Sequence, residues 1–165
     1  MFVDTFTTVH VLLSLVGIGS GFVVLYGLFA AQRLDVWTAI FLASTVATSV
    51  TGFFFPFERF LPSHAVGIVS LLVLAVVILA RYTFHLAGAW RRVYVVGAVI
   101  ALYLNVFVLI AQLFLKVRAL KDLAPTQSEP PFLLAQVVFL ALFVVFAIIA
   151  AMRFRNEPAH MAKDA

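Results

Sequence analysis

Two histidines, His10 and His64, are the residues of this chain best suited to chemistry, because neutral imidazole is a metal ligand and a proton carrier near physiological pH. The first opens a long apolar run, and the second follows the stretch TGFFFPFERFLPS at the start of another. Alternate ends of consecutive runs share a side of a membrane, so both imidazoles are expected at similar depth. If the two helices also approach each other, their nitrogens could supply the axial ligands of a b-type haem or bind another metal. The plainer alternative is a pair of interfacial histidines meeting headgroups and water.

Around them lies a set of candidate ligand-binding residues. Gly17 and Gly21 fall on the helical stripe of His10, together with Ser14 and Leu28, using roughly 100° per residue. Small residues on such a stripe either let two helices pack closely or leave room for a flat macrocycle beneath the histidine. Asn105 and Gln112 lie seven residues apart on one face of a later run, and Gln136 lies in the last. An amide unsatisfied in hydrocarbon is costly, so all three are expected to face other helices or a cavity. Ser44, Thr48 and Thr51 share a face with spacing four and three, with Thr45, Ser49 and Gly52 beside them. The ordinary reading of these polar groups is interhelical hydrogen bonding. The functional one is a pocket for a quinone, a lipid or another small molecule.

The elements that must position these residues are transmembrane helices. Of 165 residues, 65% are hydrophobic and 11% charged, and the mean hydropathy is +1.16, far outside the balance of a soluble domain. At about 20 residues per crossing, five apolar runs separated by short polar breaks predict helices over 8–31, 36–55, 63–80, 93–115 and 131–152. The expectation is thus an all-α integral membrane bundle of five transmembrane helices, with residues 1–165 as a single transmembrane domain. The first residues, MFVDTFTT, hold no basic residue and lack the charged region of a cleavable signal, so the first helix is expected to remain as an anchor.

Charge then orients the bundle. Arg33, Arg81, Arg91, Arg92, Arg153, Arg155 and Lys163 fall on one side, against Arg59, Lys116, Arg118 and Lys121 on the other. The richer side is expected inside, placing the N-terminus outside and the C-terminus in the cytoplasm. Trp37 and Trp90 then lie at the inner interface, where indoles prefer to sit. Arg81, His85, Arg91 and Arg92 are expected to anchor the inner loop on anionic headgroups. The longest break, RALKDLAPTQSEPPF, ends with Glu129 before two prolines, which suits the start of a helix.

Several functions lose their basis. The basic residues sit at helix ends instead of forming a patch, which argues against nucleic acid as a partner. There is no cysteine, hence no disulfide, thiolate metal site or cysteine nucleophile. No phosphate-binding loop, dinucleotide fingerprint, His-Glu-x-x-His or serine-hydrolase elbow is present. Intramembrane carboxylates and an inverted repeat are both missing, which weakens a proton-coupled transporter.

The stretches TGFFFPF, HLAGAWR, LYLNVFVL and APTQSEPPF, in this order, resemble those of a family of small uncharacterised multi-span proteins from bacterial inner membranes. The resemblance covers most of the chain. It implies a bacterial cytoplasmic membrane and a family-wide outer loop, and brings no activity or site residue with it. The resulting expectation is a non-catalytic accessory or small-ligand-binding membrane subunit in the lipid bilayer, binding haem b or quinone in its outer half, alone or with other subunits or as a homo-oligomer. The alternative is a small transporter or permease-like protein active as an oligomer.

Overall fold

The computed structural model describes residues 2–56 and 62–154. Arg59, Arg155 and Lys163, three of the basic residues used above for orientation, lie outside the described residues. Among the described residues every regular element is helical: α1 Phe2–Phe29, α2 Asp35–Gly52, α3 Pro62–Ile78, α4 Ala89–Lys116, α5 Arg118–Leu123 and α6 Pro130–Arg153. A five-residue π-helical turn, Leu79–Thr83, continues α3.

Four of these helices are long and apolar enough to cross a membrane: Asp4–Phe29, Ser63–Thr83, Ala89–Lys116 and Pro130–Arg153. α2 is not among them. Its 18 residues carry Thr or Ser at six positions, 38, 44, 45, 48, 49 and 51.

 
Two of these hydroxyls bond within their own helix, Ser44 to the Ile40 carbonyl at 2.6 Å and Thr51 to that of Ala47 at 2.7 Å, which shields them from hydrocarbon. α2 is nevertheless sheltered by the bundle, with Thr38, Phe41, Leu42, Ser44 and Thr45 buried.

The helices form a ring. α1 packs along α2, α2 along α3, α3 along α4, and α4 closes the ring against α1, while α6 lies outside it against α4 and α1. Lipid tails are as apolar as leucine, so close packing and interhelical hydrogen bonds must hold such a ring together. Two glycines show how tightly it closes. A Cβ on Gly97 of α4 would lie 2.5 Å from Val77 Cγ2 of α3, and one on Gly21 of α1 would lie 2.6 Å from Leu102 Cδ1 of α4 and 3.0 Å from the Phe41 ring of α2.

The α2 helix ends at Gly52, three residues before the expected 55, and larger differences from the sequence reading occur in three places. α1 begins at Phe2, because residues read as a leading segment are themselves helical, with Asp4 favourably placed in the first turn. The long break before α6 contains the short helix α5, and is tied to α4 by Gln127 Nε2, which donates to the Ala111 carbonyl at 2.6 Å. α4 begins four residues earlier than expected, at Ala89, following a turn in which Phe84 and Trp90 stack at 4.0 Å.

The start of α6 follows the expected chemistry. Glu129 is its N-cap residue, with Pro130 and Pro131 in the first turn. Its carboxylate accepts from the Thr126 hydroxyl at 2.8 Å and from the amides of Thr126 and Ser128 at 3.2 and 3.1 Å. Desolvation pushes the Glu129 carboxyl upward, but these donors together outweigh it and hold the group below its ordinary value.

Candidate functional site

A cavity of about 550 Å³ occupies the axis of the ring at the end that holds the start of α1 and α3 and the finish of α2 and α4. It falls within the 300–1,000 Å³ typical of small-molecule sites. His10, His64, Asn105 and Gln112 all line it, so four of the seven residues singled out in the sequence share one space. Ligand sites in helix bundles are commonly built this way, from side chains on facing helices.

The two histidines stand on α1 and α3, which are diagonal in the ring and not neighbours along it. His64 is buried, 5% exposed, and His10 is partly buried. The phenylalanine stretch between α2 and α3 serves both. The Phe55 ring meets His10 edge-on at 5.0 Å, and the Phe53 ring lies 5.8 Å from that of His64. His10 Nδ1 is also 2.8 Å from Thr51 Oγ1 near the end of α2. Ser14, Ser49, Gly52, Gly67 and Ser70 are the small residues of the cavity's lining.

One wall of the cavity is polar. Asn105 Nδ2 donates to Thr45 Oγ1 at 3.0 Å, linking α4 to α2, and Ser49 donates to Ser70 at 3.2 Å, linking α2 to α3. Thr48 Oγ1, on the same wall, is buried without a hydrogen-bond partner. Gln112 and Lys116 continue up α4 to the end of the bundle, where both are exposed.

The other three candidates lie elsewhere. Gly17 is a contact glycine: a Cβ there would lie 3.1 Å from Thr45 Oγ1 and 3.3 Å from Ser44 Oγ. Gly21 sits deeper, pressed against Leu102 and Phe41. The space beneath His10 along their stripe is therefore filled by α2 and α4. Gln136 is buried between α6 and α4, where its Nε2 donates to the Phe107 carbonyl at 3.2 Å, and it does not line the cavity.

Below Asn105 the ring closes. The gap among Gly21, Leu25, Phe41, Val99 and Leu102 has no room for a water molecule, so the cavity ends in an apolar plug. Beyond the plug, at the opposite end of the bundle, Arg81 corrects the sequence reading. It does not extend to headgroups: its side chain is 7% exposed and lies within the π-helical turn. It pairs with Asp35, at the start of α2, and its guanidinium lies 5.2 Å from the Tyr94 ring. Asp35 stands 46 residues away, and a charge beside a predicted loop reads as surface, so nothing in the sequence marked this pair.

Among the described residues no group of three His, Asp or Glu converges to hold a metal by protein ligands alone. A metal at His10 and His64 would have to bring most of its coordination with it, as an iron porphyrin does. No family model, curated protein or solved structure matches the chain.

Proposed function

We propose that the protein is a membrane subunit that binds haem b between His10 and His64 and takes part in electron transfer. The observation that carries this reading is the placement of the two imidazoles on diagonal helices around one cavity. Bound there, the haem would supply reversible one-electron chemistry at its iron. The protein's part is to hold the two imidazoles at one level and exclude water with Phe53 and Phe55. Lys116, near the mouth, offers a cation for a propionate carboxylate. The apolar plug favours a bound group over a translocated one and weighs against the transporter reading.

A second reading, quinone binding, is favoured by the polar wall, where the Thr48 hydroxyl lacks a partner and Asn105 and Gln112 offer amides to a ligand's oxygens. Titration of the detergent-purified protein with haem separates the two. Stoichiometric uptake with a Soret band and sharp reduced visible bands supports haem. Absence of uptake, together with saturable binding of a short-chain benzoquinone, transfers the conclusion to quinone.

The threading proposed for this subunit is five crossings of a bacterial cytoplasmic membrane, N-terminus outside, with α2 as the fifth span sheltered by its neighbours. Single cysteines at Ser63 and Gln127 should then react with an impermeant thiol reagent in intact cells, while one at Gln32 should not. Labelling of Gln32 and Ser63 from the same side would remove α2 from the set of crossings.

A further inference from the structure

The contact between His10 and Thr51 has a direction that the surrounding atoms decide. Thr51 Oγ1 lies 2.8 Å from His10 Nδ1, 2.7 Å from the Ala47 carbonyl oxygen and 3.2 Å from that of Thr48. A hydroxyl has one proton, and a carbonyl oxygen can only accept, so the short bond to Ala47 uses that proton. What the hydroxyl has left for His10 is a lone pair. Nδ1 must then be the donor, because an unprotonated Nδ1 would set lone pair against lone pair.

We infer that Thr51 holds His10 in the tautomer protonated on Nδ1, leaving an unprotonated Nε2 as the nitrogen available to a ligand. Thr51 is thereby a positioning residue that selects what the cavity binds. Neutral His10 can ligate a metal or accept from a hydroxyl, but it has no ring proton left for a ligand's carbonyl. Metal-ligating histidines commonly have this arrangement, with one ring N–H fixed by a second group and the other nitrogen left basic. The consequence for iron rests on the haem reading above, whereas the tautomer does not.

The test separates them. In protein labelled with nitrogen-15 histidine and held in lipid nanodiscs without haem, the His10 signals, identified by their loss in His10→Ala, should show a protonated Nδ1 and an unprotonated Nε2. Thr51→Val should move them towards a tautomer mixture, and Thr51→Ser should restore them. Haem titrated into the same variants should bind about 10–100-fold more weakly to Thr51→Val, the usual cost of losing such a support, with recovery in Thr51→Ser. Protonation of Nε2 in the unsubstituted protein overturns the inference, as does a His10 spectrum unchanged by Thr51→Val. Should Thr51→Val fail to fold, the unsubstituted protein and Thr51→Ser still decide the tautomer. The expected tautomer in a protein that takes up no haem would leave the inference standing and remove the haem reading alone.

Discussion

Haem added to the purified protein is expected to give a Soret band that His10→Ala and His64→Ala each abolish, with the double variant losing nothing further. Two axial ligands act as one site, and removing either exposes the iron to water or to exchange, so the effects should be strongly non-additive. The controls come from the fold. His85 is exposed in the turn before α4, at the far end of the bundle, and His85→Ala should leave the spectrum unchanged. Gly21→Ala, a change in the close-packed region below the cavity, should lower thermal stability by roughly 1–3 kcal/mol through overpacking without altering the absorption bands of the protein that remains folded. A haem spectrum that survives both histidine substitutions would move the site away from this cavity. Loss in only one variant would leave a single protein ligand and refute axial ligation by the pair.

Which parts of this arrangement the sequence reveals follows from how local each feature is. Hydropathy and span length depend on neighbouring residues, so the membrane class and the helices containing His10, His64, Asn105 and Gln136 are legible directly. That His10 and His64 belong to the same end of the bundle is legible too, since it needs only that consecutive helices alternate in direction. Their diagonal placement is not, because it depends on the order of helices in the ring, which is settled by contacts such as Val77 on Gly97 between residues 20 apart. Gly17 and Gly21 illustrate the same limit. Spacing shows a smooth stripe, but whether it faces a cavity or a neighbour is decided by Thr45, Phe41 and Leu102, on other helices. α2 is ambiguous for a different reason: its hydroxyls depress hydropathy although two of them, Ser44 and Thr51, satisfy themselves within the helix. The burial of Arg81 is not legible, because the residue lies in a π-helical segment for which the apolar pattern of α3 gives no signal and its partner Asp35 is on another helix.

Asp35→Asn should destabilise the protein more than Arg81→Met, although the two substitutions break the same ion pair. The reason is the asymmetry of burial: the Arg81 side chain is 7% exposed and that of Asp35 78%. Removing the arginine leaves a carboxylate already in contact with solvent, which hydration can satisfy. Removing the carboxylate's charge leaves a sheltered guanidinium beside Tyr94, whose ring lies at 5.2 Å, and Tyr82, at 5.8 Å, neither of which carries a compensating negative charge. Leaving a buried charge without its partner can cost about 3–5 kcal/mol, and the exposed position of Asp35, where water can partly replace it, reduces this to roughly 2–3 kcal/mol. That corresponds to a fall of roughly 5–10 °C in the unfolding midpoint for a chain of this size, measured in nanodiscs of zwitterionic lipid so that headgroups do not supply a substitute anion. Arg81→Met keeps much of the stem packing on Tyr94 and should cost less than half as much. The decisive measurement is the double variant. With the cation gone, nothing remains for Asp35 to neutralise, so Arg81→Met with Asp35→Asn should be more stable than Asp35→Asn alone. Equal midpoints for Asp35→Asn and the unsubstituted protein would show that the pair contributes nothing. A double variant as unstable as the sum of the two single ones would show that Asp35 supports the start of α2 independently of Arg81.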